Sequence, residues 1–402
     1  MRFCQNMMKT LIKAHFFQRC ILLASLLAVV AFAHADQLDT LNFVAGVSAK
    51  YDDNVFRRES GEESERITSA YAGMRIEKKY SLQRFKVDAT ITNLDYQNND
   101  FLNFTSKNFD AAWYWALTPK LTGTLSADRS ESLNDFNDFR NISVRNTRVI
   151  QNQLFQADFA PGGGWHFLAG VSRRTLKNSE EFQQEANFSA NSLDVGARFA
   201  FKSGSSITMM NHVRKGNFDD RPINQAALLD NGYKEQEYEV RLNWLVTAKS
   251  QLNFVASYLN RDHDHVSERD YSGLQGGLTY SWAPTAKIKL LVSANSRLAA
   301  FQSNINSYTR TNSLIISPSY EVTEKIKLRA SLSASERNFE GDGVLQSNGR
   351  VDDIRSASIG VDWSPTNYLT LGLSIQQTNQ DSNTAGFDFD DTTASASANL
   401  IF

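Results

Sequence analysis

One phrase recurs along the 402-residue chain: alternating apolar residues, an aromatic, a short turn, then alternation again. It reads Trp113–Leu121, Phe155–Trp165, Leu242–Leu252, Tyr280–Ile288 and Val361–Leu369. An aromatic stands just before each turn, at Trp115, Phe159, Phe201, Trp244, Trp282, Tyr320 and Trp363, and Phe402 ends the last alternating stretch. The phrase returns about every 40 residues, the length of a β-hairpin plus a long loop. A sustained period of two sends successive side chains to opposite faces and excludes a helix. Aromatics at one height beside tight turns mark the membrane–water interface of a transmembrane β-barrel.

The alternation divides into eighteen strands. The first carries Leu41, Phe43, Ala45, Val47, Ala49 and Tyr51, and the last Ala394, Ala396, Ala398, Leu400 and Phe402. Sixteen is the alternative count, because polar residues blur the third, sixth and ninth stretches, around Phe85–Ile91, Phe155–Phe159 and Ile207–Val213. Short connections fall near 78–82, 118–120, 161–164, 202–205, 247–250, 283–286, 321–324 and 364–367. Long polar ones fall near 53–64, 95–106, 130–144, 177–188, 215–234, 262–270, 300–309, 339–351 and 380–390. Outer-membrane barrels place short turns in the periplasm and long loops outside. The expected fold is therefore all-β, a transmembrane antiparallel up-and-down β-barrel.

The N-terminus reads as a secretory signal, residues 1–35. Arg2, Lys9, Lys13 and Arg19 precede the apolar run Cys20–Phe32, and Ala33-His-Ala35 offers a small-residue cleavage site. Residues 36–402 are then one barrel. Cys4 and Cys20, the only cysteines, both lie in the signal, which excludes a disulfide framework and a cysteine metal site. Removing four basic residues leaves 38 Lys+Arg against 44 Asp+Glu, a balance of −6 that does not suggest nucleic acid as a partner. No later segment is apolar enough for a transmembrane helix. Mean hydropathy is −0.40. A membrane-spanning chain reaches that value when half of each span faces water, which is the barrel solution.

No catalytic constellation stands out, and neither an enzyme nor a cofactor is expected. Of the mature histidines, His166, His212, His263 and His265, none has a placed base or nucleophile beside it in sequence. Arg261-Asp-His-Asp-His265 has metal-ligand residue types, but such spacing is common in polar loops. The polar strand faces carry both signs. The lumen-facing candidates are Arg75, Lys86, Asp88, Asp158, Arg174, Asp194, Arg198, His212, Arg214, Glu239, Arg241, Lys289, Lys327, Arg329 and Asp362. Either they form a salt-bridged, solvated wall or they tune a pore. A barrel this wide leaves an aqueous channel unless plugged. No stretch remains for a plug domain, so an inward-folded connection, 215–234 or 130–144, is the remaining way to narrow it.

The stretch Asp39–Arg57, and Tyr51-Asp-Asp-Asn-Val-Phe-Arg57 above all, resembles the opening of the EpsL-type outer-membrane proteins associated with exosortase/PEP-CTERM exopolysaccharide systems of Gram-negative bacteria. That resemblance implies a barrel taking part in exopolysaccharide export across the outer membrane, with polysaccharide and periplasmic export components as partners. It supplies no catalytic residues. Tyr51 and Phe56 would flank the outer interface. The ending Ala394–Phe402 resembles the signal read by the barrel assembly machinery, and outer-membrane lipid would surround the wall. The alternatives are a general diffusion porin for small solutes and a surface adhesin or structural barrel.

Overall fold

The alternating stretches form one closed antiparallel sheet. The computed structural model describes residues 40–134, 136–138, 144–180, 187–219, 221–301, 303, 305–344 and 349–402. The expected signal, 1–35, lies outside the described residues. The strands are β1 (Leu41–Asp52), β2 (Glu65–Tyr80), β3 (Gln83–Tyr96), β4 (Phe104–Thr118), β5 (Leu121–Leu133), β6 (Thr147–Gly162), β7 (Trp165–Asn178), β8 (Phe188–Ala200) and β9 (Ser206–Phe218). The second half continues with β10 (Gly232–Thr247), β11 (Ser250–His263), β12 (Tyr271–Trp282), β13 (Ile288–Ala300), β14 (Tyr308–Glu321), β15 (Ile326–Glu340), β16 (Val351–Trp363), β17 (Leu369–Ser382) and β18 (Phe389–Ile401). The sixteen-strand alternative is excluded, because the three blurred stretches are full strands of 14, 16 and 13 residues.

Each strand pairs with its neighbours in chain order. β1 and β18 close the ring from Val44↔Ile401 to Asp52↔Thr393. Reciprocal backbone bonds of 2.6 and 2.9 Å between Phe43 and Phe402 extend that seam. Closure pairs the two terminal strands, as a sheet in hydrocarbon requires. The usual burial order is inverted. Phe43, Ile91, Phe167, Met209, Leu274 and Leu373 are exposed on the outward face, whereas Asn42, His212, Glu237 and Ser257 are buried on the inward one.

The strands run further than the alternation does. β6 begins at Thr147, although its apolar alternation starts only at Phe155, and β10 begins at Gly232 rather than near Tyr238. These ends carry polar residues on both faces, such as Gln151 and Asn152, or Lys234 and Glu235. Strands that rise past the apolar band need no outward apolar face.

The recurring phrase has a local cause. In three of the turns a threonine hydroxyl accepts backbone N–H groups two and three residues on. Thr118 accepts from Lys120 and Leu121, Thr285 from Lys287 and Ile288, and Thr323 from Lys325 and Ile326, all at 3.0–3.3 Å. The turn lysine then donates to the next turn: Lys249 to Pro284 O (2.8 Å), Lys287 to Val322 O (3.3 Å) and Lys325 to Pro365 O (3.0 Å). The four turns from β10–β11 to β16–β17 are thus tied together along the rim.

The aromatics stand along that rim. Phe159, Phe201, Trp244, Trp282, Tyr320 and Trp363 are 42–48 % exposed. Trp115 differs, at 8 %. Gly123 opposite it lets the indole lie flat on the wall, where a Cβ would stand 2.3 Å from the ring, and Trp115 stacks on Phe155 at 5.8 Å. Phe402 lies 6.1 Å from Phe43, ring to ring.

Candidate channel and its constriction

Strand register decides which inward charges meet. Arg75 stands opposite Asp88 and pairs with it at 2.6 Å, while Lys86 reaches the same carboxylate at 3.2 Å. Asp158 gathers His166 (2.7 Å) and Arg198. Asp194 lies 2.6 Å from His212, whose other ring nitrogen is 3.8 Å from Glu239, and Glu239 also pairs with Arg241. Arg214 joins Glu237 at 2.7 Å and Glu235 at 3.6 Å. Near the turn rim, Arg329 holds Asp362 through two bonds of 2.6 Å, and Lys289 pairs with Glu321 at 3.1 Å. Among the described residues, Arg174 and Lys327 make no ion pair.

Sequence reasoning missed Glu235 and read Arg261 only as part of the polar run Arg261–His265. Arg261 pairs with Glu235 at 2.6 Å and lies 3.8 Å over the Tyr233 ring. Both sit in the polar extensions of β10 and β11, beyond the apolar alternation. The parity of Glu237 and Glu239, carried two residues on, was the available signal.

The wall is asymmetric. β6 to β11 carry most of these charges. The inward face of β14 to β18 carries laterally paired hydroxyls: Ser317 with Ser331 (3.2 Å), Thr378 with Ser356 (3.3 Å) and Ser374 with Ser395 (2.7 Å). A cavity of about 900 Å³ follows the hydroxyl side, from Arg57 and Asp391 at the long-loop end to Thr247 and Ser250 at the turn rim.

Residues 136–138, after β5, reach across the long-loop end of the barrel. Asp138 bonds Arg337 of β15 at 3.0 Å and lies 3.4 Å from Arg350, nearly half-way round the wall from β5. Phe136, two residues earlier, joins a buried cluster with Val55, Phe56, Tyr96 and Leu102. A second cavity, about 780 Å³, borders this bridge and is lined by Asp138, Arg174, Arg214, Glu235, Arg261 and Arg337. Of the two inward-fold candidates, 130–144 supplies this crossing through Asp138.

The Tyr51–Arg57 stretch is a latch on the ring closure. Asn54 donates to Arg58 O (2.8 Å) and to Asp390 O of β18 (2.9 Å). Asp53 accepts from Thr392 N at 2.6 Å. Arg57, with a positive φ of 54°, turns back to lie 2.8 Å from both Asp52 and Asp391. The placement of Phe56 at the outer interface is overturned: it is 1 % exposed and packs inside the loop cluster, T-shaped on Phe136 at 4.9 Å. Tyr51 is exposed.

Other chemistry is used up internally. Ser192 donates to Asp194 (2.7 Å), the carboxylate that also holds His212, so no hydroxyl–imidazole pair forms there. His263 and His265 go to different carboxylates, Asp270 (3.2 Å) and Asp230 (3.1 Å), and do not converge on one ion. Among the described residues one carboxylate trio has metal-ligand spacing, Asp52, Asp53 and Asp391, and the Arg57 guanidinium already occupies Asp52 and Asp391.

A closed eighteen-strand wall, apolar outside, polar inside and crossed by a loop, defines an outer-membrane β-barrel of the porin type. The family model described as "Putative beta-barrel porin 2" matches residues 238–401, the β10–β18 part of the ring. Among solved structures, Pseudomonas aeruginosa OccK2 (OpdF) is similar with a TM-score of 0.52 at 11 % identity, covering 90 % of this chain and 97 % of that one. P. aeruginosa OpdK follows with a TM-score of 0.51 at 12 % identity, covering 90 % and 99 %. OpdQ of the same organism has a TM-score of 0.50 at 13 % identity, covering 91 % and 100 %. No curated protein matches the chain in sequence.

Proposed function

We propose that this barrel is a diffusion porin for small hydrophilic solutes. The observation that carries this reading is the cavity that runs along the wall of paired hydroxyls from the loop end to the turn rim. Paired hydroxyls offer donors and acceptors to a hydrated solute without binding it tightly, and conduction needs such weak, repeated sites. The paired charges opposite give a steep local field with little net attraction. The Asp138 bridge narrows the passage and favours solutes over polymers. The porin family match over 238–401 and the fold shared with OpdK, one structure of which carries vanillate, support the same class. Liposomes loaded with the protein should swell in small sugars and progressively less in larger ones. Equal swelling with and without protein would refute the reading.

Exopolysaccharide export is the second reading. It rests on the likeness of Tyr51–Arg57 and on the hydroxyl wall, which suits a polyhydroxylated chain. A polymer would have to displace the loop bearing Asp138. Deleting the gene and weighing secreted polysaccharide separates the two: unchanged secretion with reduced small-solute uptake supports the porin.

A further inference from the structure

One seam of the ring is incomplete. β12 and β13 pair from Trp282↔Leu290 to Gly276↔Ser296, and there the ladder stops. Beyond it Tyr271–Gln275 and Arg297–Ala300 pair with their other neighbours, β11 and β14, but not with each other. The seam has seven register pairs, where every other has nine or more. Unpaired backbone groups at membrane depth are expensive. Side chains partly stand in for the missing ladder. Arg310 donates to Leu274 O at 3.2 Å, and Leu298 N donates to Gln275 Oε1 at 3.3 Å. Gly276 and Gly277 sit where the strands part.

The break straddles the upper edge of the apolar band: the outward positions beside it on β13 and β14 are Ser296, Asn312 and Arg310, and Arg310 lies 3.5 Å from Glu340. A rise of about 3.3 Å per residue and a tilt of about 40° place Leu274 roughly 20 Å from the Trp282 rim, in a band about 25 Å tall. The Leu274 side chain is 70 % exposed. Both sides of the break open onto space. Outside, a depression of about 690 Å³ begins at the last paired residues, Gly276, Gly277 and Ser296, and runs past Leu314 to Asn312, Glu336, Asp353 and Arg355. Inside, the 780 Å³ cavity reaches Tyr271 and Leu298. The wall between them is an apolar cluster of Leu259, Tyr271 and Leu298, with Tyr308 stacked on Tyr271 at 4.7 Å. Behind it stand Arg261, 5.5 Å over the Tyr271 ring, and Arg174. The β4–β5 ladder also ends early, at Phe109↔Arg129, but Asn108 and Glu131 bridge that divergence with polar groups.

We propose that the β12–β13 break is a lateral port between the lumen and the membrane leaflet on the long-loop side, passing a single-chain amphiphile with an acidic head. The apolar cluster suits the chain, and Arg174, which makes no ion pair among the described residues, suits the head. This route is separate from the aqueous one, so either can fail alone. The chain has no cysteine outside the expected signal, so paired cysteines report cleanly. Gly273→Cys with Ala299→Cys, bridged by a short bis-thiol reagent, should abolish transfer of labelled dodecanoate into the bilayer and leave glucose flux unchanged. A bridged control across an intact pair, Ser313→Cys with Ser335→Cys, should change neither. Arg310→Ala, which needs no bridge, should raise dodecanoate transfer. Transfer that survives the Gly273–Ala299 bridge, falls equally in the control, or is unmoved by Arg310→Ala overturns the proposal.

Discussion

Asp138 and Arg337 are 199 residues apart in the chain and 3.0 Å apart in space. That contact carries the segment after β5 across the lumen to β15. Both arginines at its far end have other partners. Arg337 lies over Phe301 and Phe339, and Arg350 holds Asp352 at 2.6 Å. Asp138→Ala should therefore free the loop while the strand ladders stay intact, because both arginines keep these other partners. Single-channel recording should show a larger and noisier conductance, with an unchanged midpoint for thermal loss of the folded band on a gel.

Arg57 matters for stability instead. Asp52 and Asp391 are 2 % and 3 % exposed in their side chains, and Arg57 stands between them. Removing one partner of a buried ion pair costs about 3–5 kcal/mol, because the remaining charges stay desolvated. Arg57→Ala should lower the midpoint of heat- or urea-induced unfolding clearly, with conductance retained in molecules that fold. An unchanged midpoint would mean the latch is not structural.

Arg269 joins loops rather than strands. It is 1 % exposed and donates to four backbone carbonyls: Leu228, Ser303, Asn306 and Asp342. Each buried carbonyl left without a donor costs about 1–3 kcal/mol. Arg269→Ala should open the loops after β9, β13 and β15 to protease while the strands stay protected. Arg269→Lys, which lacks the planar fork, should restore little of that protection.

Asp230 makes the same loop region sensitive to acid. Burial pushes its carboxyl up, but bonds from His265 and from the backbone N–H groups of His265, Gly232 and Val266 outweigh burial and hold it below the ordinary 3.8. A depressed carboxyl pKa stabilises the fold above the ordinary value, and that contribution disappears as pH falls through the lowered one. Wild-type loop protection should therefore hold from pH 7 to about pH 4 and collapse below it. Asp230→Asn should be less protected at pH 7 and should converge with wild type in strong acid. Protease nicking across this range measures both curves.

Legibility in the sequence followed the membrane. Between the turn rim and mid-bilayer, one face meets hydrocarbon and the other water, so alternation at Leu252, Phe254 and Ala256 or Leu369, Leu371 and Leu373 marks β11 and β17 directly. Above the band both faces are wet, and Thr147–Gln153 or Gly232–Glu237 lose the pattern although the strand continues. Charge partners such as Arg75 and Asp88 follow from register once the hairpin is placed. The contacts of Asp138, Arg269 and Phe56 depend on loops folding over distant strands, and no local period encodes them. Trp115 shares the rim pattern but is hidden by Gly123, a cross-strand neighbour that single-stretch reading does not consult.

The central claim is an open aqueous path through one closed wall, narrowed by the Asp138 bridge. Recording single molecules of the folded barrel in a planar bilayer tests it most directly. The account predicts stepwise, near-ohmic currents that small neutral sugars reduce and large dextrans do not, with a larger step in Asp138→Ala. A barrel that inserts, folds and carries no current in either form would contradict it.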